Sequence, residues 1–157
     1  MKPTRILLAD DHEIIRRGLR AILETDETFE IAGEAVDGQD AIEKAARLKP
    51  DLVVLDISMP IIDGLEATRR IVRDTPNIKV LVLTVHDSDT VATRALQAGA
   101  RGYVLKSDAG RELLVAVDSV RQGKPYFTSK VAEMVLRGLR HDNTVPGKSD
   151  ADSDGCK

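Results

Sequence analysis

Cysteine is nearly missing from this chain of 157 residues. The one thiol, Cys156, is next to the last residue, so no disulfide can close within the chain and a reducing, cytoplasmic setting is expected. Tryptophan is absent and aromatics total 3%, too few for the stacking platform of a single-stranded nucleic-acid binder. Long apolar runs are also lacking. Those present extend over a few residues, against the roughly 20 that a membrane span needs. Met1-Lys2-Pro3-Thr4-Arg5 leads into the first of them without the apolar stretch of a secretory signal, so no membrane association is expected. Excess positive charge is the last absence: the net charge is −3, so the electrostatic footprint of a DNA-binding surface is not carried by these residues. The length suits one packed domain plus a tail.

What is there is an alternation of short apolar runs with segments of helical period, the pattern of a parallel sheet covered on both faces. Five units follow one another. Ile6 to Ala9 leads to a helix with Ile15, Leu19, Ile22 and Leu23 on one side. Phe29 to Ala35, interrupted by Gly33, is the weakest strand and reads as an edge; its helix carries Ala41, Ile42, Ala45 and Leu48. Leu52 to Asp56 is the most hydrophobic and reads as central, followed by Leu65, Thr68, Ile71 and Val72 up to the break at Thr75-Pro76-Asn77. Val80 to Thr84 precedes Val91, Ala92, Ala95 and Leu96, with Gly99 as a left-handed helix stop. Tyr103 to Lys106 precedes Leu113, Leu114, Val117 and Val120.

After residues 1–123, which we read as the domain, residues 124–140 are predicted to form a linker helix. Its N-cap is Thr128 or Ser129, and Val131, Met134, Val135 and Leu139 lie along one side. Residues 141–157 are polar and have too little apolar surface to offset their ordering entropy, so a disordered tail is expected there. Asp150-Ala151-Asp152-Ser153-Asp154-Gly155 copies the opening of a calcium loop, but the chain ends before the required bidentate Glu, and the reading is a solvated acidic tail.

The chemistry sits at the strand ends. Asp10 and Asp11 close one apolar run, Asp56 another, Thr84 a third and Lys106 a fourth. In a parallel open sheet all carboxyl ends lie on one edge, where ligands bind, so three acids, a hydroxyl and an ammonium converge. Three carboxylates in one cleft repel one another, and a raised pKa or a hard divalent cation relieves this. Mg²⁺ suits such oxygens, and Lys106 and Thr84 then offer a charge and a donor to an anion such as a phosphoryl group. Any single Asp after a strand reads equally well as an N-cap; the convergence of the whole set does not. His12 reads either as a cleft residue or as an exposed helix start, and no histidine has metal-ligand spacing with another His or Cys.

Ile6-Leu7-Leu8-Ala9-Asp10-Asp11-His12, Val54-Leu55-Asp56-Ile57-Ser58-Met59-Pro60 with Asp63-Gly64, Val82-Leu83-Thr84, and Ala98-Gly99-Ala100-Arg101-Gly102-Tyr103-Val104-Leu105-Lys106 together resemble the receiver domain of two-component response regulators. The Gly-Tyr-Val-Leu-Lys segment and Lys124-Pro125-Tyr126-Phe127-Thr128 resemble its NarL/FixJ (LuxR-type) subfamily. The resemblance covers roughly residues 4 to 140. It implies a doubly wound, flavodoxin-like α/β fold with a five-stranded parallel sheet in the order 2-1-3-4-5. It also implies Asp56 as phosphoacceptor, with Asp10, Asp11, Asp56 and the Ser58 carbonyl holding Mg²⁺ and Thr84 and Lys106 contacting the phosphoryl oxygens. Ser58 and His86 would tune hydrolysis, and Thr84 and Tyr103 would form the switch, the tyrosine turning inward.

The implied partner is a sensor histidine kinase. Dimerisation on phosphorylation, through the first and fifth helices or the face of the fourth, and control of a DNA-binding output domain located outside this chain are further expectations. The chain departs from many receivers in having Ser107 where a proline follows the lysine, and nothing after Leu139 has the helical period of an output module. A stand-alone receiver acting on a protein partner is the alternative. A Mg²⁺-dependent aspartyl-phosphate phosphohydrolase is a further rival, but the second acid it would place two residues after its nucleophile is here Ser58. A nucleotide- or flavin-binding module lacks its Gly-rich loop after the first strand. The expectation is therefore a signalling phosphoacceptor with only slow self-phosphorylation and dephosphorylation, not an enzyme.

Overall fold

The structure is a computed structural model; it describes residues 2–85, 88–127, 132–133 and 136–137. The chain runs β1 (Thr4–Ala9), α1 (Glu13–Glu24), β2 (Phe29–Ala35), α2 (Gly38–Leu48), β3 (Leu52–Asp56), α3 (Gly64–Asp74), β4 (Lys79–Thr84), α4 (Asp89–Gln97), β5 (Gly102–Leu105), α5 (Ala109–Arg121) and β6 (Tyr126–Phe127). All strand pairings are parallel, in the order β2-β1-β3-β4-β5-β6.

The strands are apolar on both faces because both faces are covered, and their two-residue period divides the core. Leu7, Ala9, Val53, Leu55, Val80, Val82 and Tyr103 pack with Ala41 and Ala45 of α2, Ala67 and Ile71 of α3, and Ala92 and Ala95 of α4. Ile6, Leu8, Leu52, Val54, Leu81, Leu83 and Val104 pack with Leu19 and Leu23 of α1 and with Leu113, Ala116, Val117 and Val120 of α5. The predicted apolar stripes of the helices are therefore the packed ones, although Ile15 stays 38% exposed.

Helix ends follow their local chemistry. Asp37, Asp63 and Ser88 cap α2, α3 and α4 by accepting from the backbone N–H three residues on. Beyond α4, Gly99 takes φ +109, a conformation open to glycine at little cost. The break predicted at Thr75 is the C-cap of α3, and the Lys106–Ser107 bond is trans, as no cis peptide occurs among the described residues.

One element corrects the expected five-stranded sheet. After α5 the chain reverses through Gly123, and β6 adds a short sixth strand beside β5. The Tyr126 N–H donates to the Arg101 carbonyl at 3.0 Å, and its hydroxyl donates to Glu112 of α5 at 2.7 Å. A two-residue strand has no readable period, so the sequence pattern does not announce it. The remaining features predicted for the linker helix, namely the Thr128 or Ser129 cap and Val131, Met134, Val135 and Leu139, lie outside the described residues, as do His86 and the tail.

Candidate functional site

The carboxyl ends of β1, β3, β4 and β5 share one edge because every crossover returns the chain in the same direction. Asp10 follows β1 and is 1% exposed; Asp56 ends β3 and is 3% exposed. Lys106 follows β5, and its Nζ lies 2.9 Å from Asp10 Oδ2 and 3.1 Å from Asp56 Oδ2. Thr84 closes β4 and is fully buried. Tyr103 of β5 is also fully buried, on the sheet face covered by α2, α3 and α4.

None of the three acids caps a helix. The N-cap of α1 is His12, whose side chain makes no capping bond, and that of α3 is Asp63. Asp10 Oδ1 instead accepts the His12 N–H at 2.9 Å, and Asp56 Oδ1 accepts the Ser58 N–H at 3.2 Å. Asp11 is exposed, with its carboxylate 3.0 Å from Nδ1 of the exposed His12.

Burial pushes the Asp56 carboxyl above the usual carboxylate range. Lys106 pulls it back and the charge of Asp10 pushes it further up, with a net rise. For Lys106 burial alone would lower the ammonium, but its contacts with Asp10 and Asp56 together outweigh that and hold it above an ordinary lysine.

Asp10, Asp11, His12 and Asp56 each offer a ligand atom, all within 4.8 Å of one another. Three carboxylates face one ammonium here. Among the described residues the buried Asp10 Oδ2 accepts no well-directed hydrogen bond; its one close partner is the Lys106 ammonium at 2.9 Å. An under-satisfied buried oxygen beside two more carboxylates fits a hard divalent cation such as Mg²⁺, with Asp10, Asp11 and Asp56 as holders.

Two supporting residues escaped the sequence reading. Arg16 of α1, 12% exposed, donates from Nη1 to the Asp10 carbonyl at 2.7 Å and from Nε to Glu34 at 2.9 Å. Glu34 of β2 also accepts from Arg20 at 2.7 Å; Arg16 and then Arg20 hold its carboxyl below the ordinary range. The signal was present: Arg16 lies three and seven residues before Leu19 and Leu23, a charge on the buried stripe of a helix. Ile61, in the loop after Asp56, has φ +72 and is 78% exposed. For a β-branched residue this is a backbone outlier, in the loop that joins Asp56 to α3.

Similarity to known proteins points to one family. The family model described as response regulator receiver domain matches residues 6–118. The transcriptional regulatory protein LiaR of Bacillus subtilis is 40% identical over 147 residues, covering 92% of this chain and 70% of that protein. The response regulator UvrY of Escherichia coli K12 is 42% identical over 140 residues, covering 88% of this chain and 64% of UvrY. A crystal structure of a LuxR-family two-component response regulator from Aurantimonas superposes with a TM-score of 0.83 at 32% identity, covering 88% of this chain and 99% of that one.

The chain belongs to the response regulator receiver domain family, in its LuxR/NarL branch. It spans about two thirds of the length of LiaR and of UvrY. No helix among the described residues is long and apolar enough to cross a membrane.

Proposed function

We propose that this receiver accepts a phosphoryl group on Asp56 from the phosphohistidine of a sensor kinase, or from a small phosphodonor, and uses it to control a DNA-binding output. The observation that carries the reading is the bridge from Lys106 to Asp10 and Asp56. It holds the two buried acids in one place and supplies a fixed cation where phosphoryl charge would develop.

In the transfer, a carboxylate oxygen of Asp56 forms a bond to phosphorus as the bond from phosphorus to the donor nitrogen breaks, and the imidazole leaves with a proton from solvent. Such a reaction depends on position and charge neutralisation more than on covalent machinery. Bound Mg²⁺ supplies the second neutralising charge. Lys106 and Thr84 contact the transferred oxygens, and Ser58 N–H steadies the acceptor carboxylate. Ser58 is two residues beyond Asp56 and is no acid, which favours slow, stoichiometric phosphorylation over turnover. Ser58 and His86 are the positions that set how long the acyl phosphate survives. Thr84 and Tyr103 transmit it to the α4 and β5 surface, and dimerisation follows. A transcriptional output is supported by the name of LiaR, a transcriptional regulatory protein.

Intact mass after incubation with acetyl phosphate, with and without Mg²⁺, tests this reading. One Mg²⁺-dependent phosphoryl adduct in the wild type and none in Asp56→Ala is the expected result. An adduct that persists in Asp56→Ala rejects Asp56 as acceptor.

A further inference from the structure

We infer that Arg16 is a positioning residue for the divalent-cation site: through the Asp10 carbonyl it fixes the peptide that aims Asp10 and Asp11 into the cleft. The inference rests on the proposed role of the acidic cluster and adds a component outside it.

The β ladder ends at Asp10, whose N–H still donates to the Ala35 carbonyl of β2 at 3.1 Å. Past that point the peptide joining Asp10 to Asp11 has no strand neighbour to orient it. Its carbonyl is taken by the Arg16 guanidinium at 2.7 Å, a charge-assisted bond. The reach is natural, because helical side chains lean toward the N-terminus of their helix and Arg16 is in the first turns of α1.

The guanidinium is itself held in place. Its Nε donates to Glu34 Oε1 at 2.9 Å; the other Glu34 oxygen accepts from Arg20 Nη1 at 2.7 Å; and the Glu34 carbonyl accepts from Lys44 of α2 at 2.5 Å. A planar group bonded along two edges cannot swing as a single-point lysine would. The polar groups of Asp10 are accordingly directed one by one: N–H to β2, carbonyl to Arg16, Oδ1 to the His12 N–H and Oδ2 to Lys106. If the carbonyl contact is lost, the peptide plane turns, and Asp11, which has no strand to hold it, turns with it. Arg20 provides an internal comparison, since it shares Glu34 but turns its Nε to Glu24 rather than to Asp10.

The test is Mg²⁺ titration of the full unphosphorylated chain by calorimetry, for wild type, Arg16→Ala, Arg16→Lys and Arg20→Ala, with urea melts of each. Residues that orient ligands are worth about 10- to 100-fold in metal affinity, so Arg16→Ala is expected to bind Mg²⁺ about 10-fold more weakly. Arg16→Lys recovers part of the loss, and Arg20→Ala keeps wild-type affinity although it also gives up an ion pair to Glu34. Wild-type affinity in a folded Arg16→Ala overturns the inference, as does an equal loss in Arg20→Ala, which would mark general loosening of α1 on β2. If Arg16→Ala does not melt cooperatively, Arg16→Lys decides by the same criterion: unchanged affinity overturns it. Wild type that binds no Mg²⁺ overturns the proposed role of the acidic cluster and this inference together, whereas wild-type binding with unaltered Arg16 variants overturns this inference alone.

Discussion

Lys106 Nζ lies 3.1 Å from Asp56 Oδ2, joining the ends of two strands whose residues are 50 positions apart. The same nitrogen is 2.9 Å from Asp10 Oδ2, so one ammonium separates two carboxylates that are almost entirely buried. Breaking a buried ion pair by removing one partner costs about 3 kcal/mol or more, because the other charge is left uncompensated. Lys106→Met is therefore expected to lose about 3 kcal/mol in urea melts at neutral pH without divalent ions, and to regain much of it when Mg²⁺ is added. A loss that Mg²⁺ does not reduce would show that the cation does not enter between Asp10 and Asp56.

The raised pKa of Asp56 carries a sign for stability. A group whose folded pKa lies above its unfolded value favours the fold while protonated, and that contribution is lost as pH rises through the folded pKa. Ionised Asp56 thus destabilises the metal-free fold at neutral pH. Asp56→Asn should raise the unfolding free energy at pH 7, by something on the order of 1 kcal/mol, the cost of one incompletely compensated buried polar group. The gain should shrink as the pH is lowered through the acidic range. Denaturant midpoints of the two proteins at neutral and acidic pH read this directly; a variant less stable than wild type at pH 7 contradicts it.

Gly64 begins α3 against the end of β3. A Cβ there would stand 2.4 Å from the Asp56 carbonyl oxygen and 2.5 Å from the Ile57 Cα, both backbone atoms that cannot step aside. Gly64→Ala must move α3 away from Asp56. The expected cost is about 3 kcal/mol, at the upper end for overpacking, and the phosphorylation rate should fall in the fraction that stays folded. An alanine variant with unchanged melting and unchanged rate would exclude the contact.

Tyr126 ties β6 to α5. Burial first, and then the hydrogen bond to Glu112, push its hydroxyl up to about 12. The phenol favours the fold in its neutral form, fully below the ordinary tyrosine pKa of about 10, and this is lost as the pH rises through about 12. In an ultraviolet absorbance titration the tyrosinate signal that Tyr126→Phe removes should be absent near pH 10, and Tyr126→Phe should weaken the fold by about 1 kcal/mol, the net worth of one hydrogen bond. A Tyr126 signal already present near pH 10 would point to an unbound hydroxyl.

Much of this architecture is written in local pattern. A run such as Leu52-Val53-Val54-Leu55 can be buried on both sides only in a covered parallel sheet, and Leu19 with Leu23 can face one way only on a helix. Those periods suffice to place Asp10, Asp56, Thr84 and Lys106 at strand ends, and parallel strands then put all four at one edge. β6 was not legible, because Tyr126 and Phe127 are too few to show a period and their pairing depends on β5 having an open side. Arg16 was legible only as an anomaly, a charge in an apolar stripe.

The sequence by itself determined the five longer strands, which of their ends carry acids and which family the pattern resembles, since these follow from periodicity and chain direction. Only the tertiary structure decided that Lys106 stands between Asp10 and Asp56, that Arg16 takes the Asp10 carbonyl while Glu34 holds its other edge, and that neither Asp10 nor Asp56 serves as a helix cap. Such contacts join residues on different elements. Their direction depends on how helices pack on the sheet and where each ladder runs out, and no local repeat in the chain encodes that.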